Sequence, residues 1–318
     1  MKKSILIAVL IIAAAFGAGG TALSQAPPRL TGSLSLSGAW ALYPMALKWT
    51  EEFQKLHPGV RIDVQAGGAG KGIADALAGM VDIGMVSRDI HPAEVDKGAF
   101  AIAVTKDAVV PMANLRNPFL KDLQSRGLRR EEFAALWIDR TLKTWDALFG
   151  RAGRSEVHVY TRSDACGAAE TWAAYLGKRQ EDLAGVGVYG DPGLAEAVRR
   201  DPLGIGYNNV NFAYDARSLR PVEGLAVLPL DLDGNGRLDP AESFYATRDD
   251  LTKAIAEGRY PSPPARDLYF VTKGRPGKPV LAAFLQWVLT QGQTFVTETG
   301  YIRLAPERLQ EELGKIGR

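Results

Sequence analysis

The run Tyr160-Thr161-Arg162-Ser163-Asp164-Ala165-Cys166-Gly167-Ala168-Ala169-Glu170-Thr171-Trp172 constrains the fold most, because it reads as a buried strand passing through a small-residue turn into a helix. Val157, Val159 and Tyr160 give the strand approach, and Trp172, Tyr175 and Leu176 recur at the three-and-four spacing of a helix face. The first N–H groups of such a helix have no intrahelical partner and sit at the positive end of its dipole. A tetrahedral oxyanion can be bound there by amides, with Arg162 closing on it. The same pattern also occurs as a plain capped helix, so one junction alone does not decide between the two.

Two further junctions have the same design. Leu34 to Ser37 alternates like a strand and leads through Gly38-Ala39-Trp40-Ala41-Leu42-Tyr43-Pro44 into a helix with Ala46, Trp49, Phe53 and Leu56 on one face. Val60 to Val64 leads through Gly67-Gly68-Ala69-Gly70-Lys71-Gly72 into a helix carrying Ile73, Ala76, Leu77 and Met80. Helix N-termini at the carboxyl ends of parallel strands point into the crevice where open α/β sheets bind ligands. Three converging termini would form a cage of N–H donors. Neither glycine-rich turn has the spacing of a P-loop or a dinucleotide fingerprint, which argues against a nucleotide.

Taken in order, Gly38 to Pro44, Gly67 to Gly70, Val81-Asp82-Ile83-Gly84 with Ser87-Arg88, Arg162 to Gly167, and Gly204-Ile205-Gly206-Tyr207 resemble the phosphate-type substrate-binding proteins of bacterial ABC importers. The resemblance covers nearly all of the chain after residue 30. It implies an α/β, two-lobe periplasmic-binding-protein fold with crossover hinge strands, closing on phosphate or a similar oxyanion delivered to an inner-membrane importer permease. Members of that family place Ser or Thr hydroxyls where this chain has Ala39, Trp40 and Ala41, Ala69, and Cys166-Gly167-Ala168. The resemblance therefore leaves the ligand to Arg162 and to the amides near Ala39 to Ala41, Ala69, Gly70 and Lys71, and Cys166 to Ala168, with Ser87 as the remaining hydroxyl donor. Arg88 faces either the ligand or Asp89. A carboxylate to accept the proton of a monohydrogen oxyanion is sought in Asp89 or Asp164. Weaker phosphate binding than the family implies is expected.

Lys2 and Lys3, the apolar run Ile5 to Phe16 and Ala22-Leu23-Ser24 have the layout of a secretory signal cleaved near Gln25, with an uncleaved anchor as the alternative. Residues 1–24 hold two lysines and no acid, so cleavage takes the net charge from +2 to about zero. No cysteine stands at the cleavage site to take a lipid. A periplasmic or otherwise extracytoplasmic, monomeric protein is expected. Basic residues are dispersed, which speaks against nucleic acid. Cys166 is the single cysteine. At a helix N-terminus beside Arg162 its pKa is expected to fall, which raises a catalytic-thiol reading. His57, His91 and His158 show no recognisable pairing with it, and the chain is expected not to be an enzyme.

Asp231-Leu232-Asp233-Gly234-Asn235-Gly236-Arg237-Leu238-Asp239-Pro240-Ala241-Glu242 matches the twelve-residue EF-hand calcium loop at each diagnostic position. Asp231, Asp233, Asn235, the Arg237 carbonyl, Asp239 directly or through water, and Glu242 would supply the oxygens, with Gly236 at the sharp turn. The upstream Leu225 to Leu230 reads as strand rather than helix, so a structural Ca2+ clip is expected rather than a sensor.

Lobe one is expected at 30–112 plus 267–318 and lobe two at 113–266, with crossings near Val109 to Leu115 and at Leu268 to Val271. Tyr260 to Arg266 reads as an extended connector. Two alternatives remain open at this stage. One is a receptor for another small anion stacked on Trp40, and the other is a calcium-stabilised secreted enzyme or inhibitor on the same fold.

Overall fold

The computed structural model describes residues 30–317. The expected secretory segment, residues 1–24, lies outside the described residues. Among the described residues nine strands form the framework: β1 Thr31–Gly38, β2 Gly59–Ala66, β3 Ile83–Val86, β4 Ala99–Asn114, β5 His158–Arg162, β6 Val186–Val188, β7 Gly204–Asn209, β8 Leu225–Val227 and β9 Ala265–Lys273. They are ordered β2-β1-β3-β9-β4-β7-β5-β6, with β8 also paired to β4. β1 runs parallel to β2 and β3, β5 runs parallel to β6 and β7, and the long β4 and β9 run antiparallel to each other.

This order makes two α/β lobes joined through β4 and β9. Leu34, Leu36, Trp49, Phe53, Phe270 and Phe284 belong to one hydrophobic core, whereas Val109, Phe133, Trp137, Trp172, Tyr207 and Tyr260 belong to the other. Along β4, Ile102 and Val104 pack in the first core and Ala108 to Val110 in the second. Each large apolar side chain fully buried in these cores contributes about 1.5–3 kcal/mol relative to exposure. At the crossing, Asp107 stands opposite Arg266 in the β4–β9 ladder, and the two form a buried ion pair with Nε to Oδ1 at 2.9 Å.

The helix Tyr43–Leu56 follows a short 3-10 turn at Trp40–Leu42 and carries Pro44 in its first turn, where its fixed φ is suited. It buries Met45, Ala46, Trp49 and Phe53, but Leu56, expected on the same stripe, is exposed because the last turn overhangs the core. The helix Ala69–Ala78 stops at Gly79, which takes the left-handed conformation of a C-terminal cap. Met80 therefore falls beyond the helix and is exposed rather than on its apolar face. No helix among the described residues is long and apolar enough to cross a membrane.

Candidate functional site

The three junctions end facing the gap between the lobes. β1 delivers Ala39 to Ala41, β2 delivers Ala69 to Lys71 and β5 delivers Arg162 with the helix Gly167–Tyr175. The gap is shut by direct contacts. The Gly70 N–H donates to the Ala165 carbonyl at 3.1 Å. A Cβ built on Gly167 would sit 2.1 Å from the Ser87 carbonyl oxygen, so only glycine permits this approach of the lobes. Trp40 leans from lobe one onto lobe two, edge-on to Phe212 at 6.4 Å between ring centroids and against Gly190.

Arg162 lies at the floor of this gap with its side chain 1% exposed. Its Nε and Nη2 donate to Asp164 at 2.8 and 2.6 Å, and its Nη1 donates to Asp191 at 2.8 Å. Asp191 also accepts from Asn209 Nδ2, and its carbonyl accepts from Asn208 Nδ2 at 2.9 Å. Burial opposes the charge on Arg162, but the carboxylates Asp191 and Asp164 outweigh it and raise the pKa, so the guanidinium stays charged. Burial pushes the Asp191 carboxyl up, and Arg162 pulls it back.

Cys166 corrects an expectation. Burial pushes its thiol up to about 12, and the nearby Arg162 only partly opposes this. The thiol is neutral at physiological pH, and its Sγ caps the helix by accepting the Ala169 N–H at 3.4 Å. Gly167 and Ala168 are buried in the first turn of that helix, and Ala39, Ala41 and Ala69 are buried on the lobe-one side.

The remaining candidates divide. Ser87 is 2% exposed and lies at the lobe contact. Lys71 turns to Ser37 Oγ and Asp75 on its own lobe instead of into the gap, because those acceptors lie one turn along its helix and at the end of β1. Arg88 does not pair with the Asp89 carboxylate. It forks onto Glu94 at 2.9 and 2.6 Å, reaches Glu170 on lobe two at 3.0 Å, and uses only the backbone carbonyl of Asp89. Asp89 is exposed, so Asp164 is the carboxylate beside Arg162. A cavity of about 720 Å3 opens beside these groups, lined among others by Arg88, His91, Arg162, Cys166, Glu170 and Lys178.

A PBP superfamily domain model matches residues 23–291. The chain belongs to the PBP superfamily. It is 27% identical to the phosphate-binding protein PstS of Bacillus subtilis (strain 168), with 95% of each chain covered. It is 25% identical to PstS of Pseudomonas aeruginosa PAO1, with 99% of each covered. Among solved structures it resembles a putative phosphate ABC transporter substrate-binding protein with bound phosphate from Clostridium perfringens. That match has TM-score 0.70 and 20% identity, and covers 86% of this chain and 100% of that one.

In this PBP-superfamily chain, sequence reasoning missed Asp191, Asp107, Arg266 and Glu170. Arg266 extends from the crossing strand to the Gly167 carbonyl, to Thr171 Oγ1 at 2.9 Å and to Asn209 Oδ1, tying the hinge to the helix that faces the gap. The one available signal was indirect. A buried Arg162 demands carboxylates, and Asp191, just ahead of Pro192 at a helix start, passes in sequence for an ordinary N-terminal acid. In the acidic loop, the carboxylates of Asp231, Asp233 and Glu242 converge, whereas Asn235 donates to Asp233 and Asp239 at 2.8 and 2.6 Å and Arg237 is exposed.

Proposed function

We propose that this chain is a non-enzymatic, extracytoplasmic receptor that traps phosphate or a related oxyanion between its lobes and hands it to an ABC importer permease. The observation that carries the reading is the buried Arg162 beneath helix termini from both lobes that meet at Gly70 and Ala165. Such termini and a guanidinium supply directed donors to an oxyanion without any catalytic group. The named PstS relatives support phosphate as the first ligand to test. A monomer suits this reading, since one chain supplies both jaws of the gap.

The cavity favours a second reading, a small organic anion. Its volume of about 720 Å3 lies within the range of about 300–1,000 Å3 usual for small-molecule pockets. Four bases, Arg88, Arg162, Lys178 and Arg179, line it against two acids, Glu170 and Glu181, which leaves a net positive wall.

Titration calorimetry of the full chain against phosphate, sulfate, molybdate and small phosphate esters separates the two readings. Gly167→Ala is the companion variant. It keeps a good helix residue at a helix start, yet its methyl collides with the Ser87 carbonyl and holds the lobes apart. A drop of at least about tenfold in affinity, roughly 1.4 kcal/mol, with an unchanged melting temperature is expected. Undiminished affinity would place the ligand outside the gap.

A further inference from the structure

The twelve-residue loop after β8 is not part of the interlobe gap, yet it gathers charge. One carboxylate oxygen from each of Asp231, Asp233 and Glu242 lies within 4.8 Å of the others. Acidic turns are common, and convergence alone would mean little. Burial is the independent observation. Asp231 is 4% and Glu242 is 6% exposed. Among the described carboxylic side chains buried at least that deeply, Asp107 holds Arg266, Asp191 holds Arg162, and Glu312 holds Arg308 and Lys315. Asp231 accepts the Gly234 and Gly236 N–H groups at 2.8 and 3.0 Å, and Glu242 accepts the Leu232 N–H at 2.7 Å, so loop amides orient both carboxylates, but neither has an ion pair with any base among the described residues. A buried carboxylate without a countercharge is costly, and two pointing at one place with a third beside them make a deficit of positive charge.

The oxygen donors of the loop point to a particular cation. Calcium takes six to eight oxygens at about 2.3–2.6 Å, so its ligands lie up to about 5 Å apart, whereas magnesium demands a tight octahedron at about 2.1 Å. Oxygens within 4.8 Å of one another can share one such shell, and the six oxygen-bearing positions of the loop suit the higher coordination number of calcium. Gly236 at the sixth position has φ 74°, the left-handed turn that brings the two halves of the loop together. Behind the carboxylates the loop is sewn to lobe two. The Asp231 N–H donates to the Leu128 carbonyl and the Leu238 N–H to the Ser125 carbonyl, both at 3.0 Å, and the Leu230 N–H donates to Tyr245 Oη at 3.1 Å.

We propose that Asp231, Asp233 and Glu242, completed by Asn235, Asp239 and the Arg237 carbonyl, bind one calcium ion that clips this loop onto lobe two. The clip joins β8 and the Phe244–Tyr245 aromatic pair to the helices Leu120–Arg126 and Arg130–Trp137. It acts on the stability of lobe two, not on the anion-binding gap.

The test uses the full chain stripped with chelator and titrated with calcium chloride alone, then with magnesium chloride alone, by calorimetry and thermal melting. One calcium per chain is expected, with a rise in melting temperature of several degrees through linkage, and no comparable rise with magnesium at the same concentration. Asp233→Asn changes an exposed ligand without touching the fold and should weaken calcium by at least about tenfold. Glu242→Gln should weaken it further, and if that variant fails to fold, Asp233→Asn still decides. No heat and no melting shift at about 1 mM calcium, equal binding of magnesium, or an unchanged Asp233→Asn variant would each overturn the proposal.

Discussion

Arg88 Nε on lobe one lies 3.0 Å from Glu170 Oε2 on lobe two, and the other oxygen of that carboxylate meets His91 Nε2 at 2.8 Å. One lobe-two acid thus receives two lobe-one side chains, and Glu94 holds the Arg88 guanidinium in place from the other side. These contacts exist only while the lobes are together, so they favour the closed state over the open one. Because Glu170 is 31% exposed, the pair is worth only about 0.5–1 kcal/mol after screening. Glu170→Gln should accordingly weaken the best-binding anion by about two- to fivefold and reduce the salt dependence of its affinity. Titration calorimetry at two ionic strengths checks this, and an affinity equal to the unmodified chain's would show that the contact does not bias closure.

The same cluster sets an acid limit. Burial pushes the Glu94 carboxyl up, but the Arg88 hydrogen bonds and the His91 backbone N–H outweigh it, so its folded pKa lies below the ordinary carboxylate value. A depressed acid stabilises the folded state above its unfolded value, about 4.3, and that contribution disappears as the pH falls through the folded value. Melting temperature should therefore decline below about pH 4.5, and Glu94→Gln should flatten part of that decline. Identical pH profiles for the two proteins would assign the acid sensitivity to other groups.

Arg162→Ala is not a clean test of ligand binding. It would strand Asp164 and Asp191, one of them 1% exposed, without their cation. Breaking such a pair costs about 3–5 kcal/mol, so the variant should lose stability in urea before any anion is added. Pairing it with Asp191→Asn should recover part of the loss, because the uncompensated charge is removed. If the single variant is as stable as the parent, the buried triad is not an energetic unit.

The local junctions were legible in the sequence because each is a matter of neighbours: alternation into Ser37, small residues to Ala41, then Trp49 and Phe53 one turn apart. The two-lobe fold came from the family resemblance that these junctions carry, with the crossings expected near Val109 to Leu115 and at Leu268 to Val271. What decides the gap was not legible. Asp107 and Arg266 are 159 residues apart, and Arg88 and Glu170 lie on different lobes. Such pairs leave no periodicity, so Arg266 read as the end of a connector and Glu170 drew no reading of its own. The thiol was misjudged for a related reason. The helix terminus and Arg162 were visible in sequence, but the burial that outweighs them was not.

Cys166 therefore offers the most discriminating substitution. Its thiol is pushed up to about 12 by burial and caps the helix Gly167–Tyr175 through a 3.4 Å contact to the Ala169 N–H. In the folded chain it should react slowly with an alkylating reagent at about pH 8, where an ordinary thiol reacts readily. Cys166→Ser replaces a weak sulfur acceptor by a hydroxyl, a preferred helix cap, and should stabilise the chain by up to about 1 kcal/mol. The same hydroxyl restores a donor beside Arg162 and should tighten phosphate by about 0.5–1.5 kcal/mol, with Ala39→Ser acting in the same direction from lobe one. Ala41→Thr should fail, since Ala41 is 2% exposed and its carbonyl accepts the Tyr301 hydroxyl at 2.6 Å, leaving no room for a branched side chain. Calorimetry with phosphate, run beside urea denaturation, separates tighter binding from simple stabilisation. If Cys166→Ser raises stability but leaves phosphate affinity unchanged, the amides and Arg162 already hold the anion and the missing hydroxyls do not limit it.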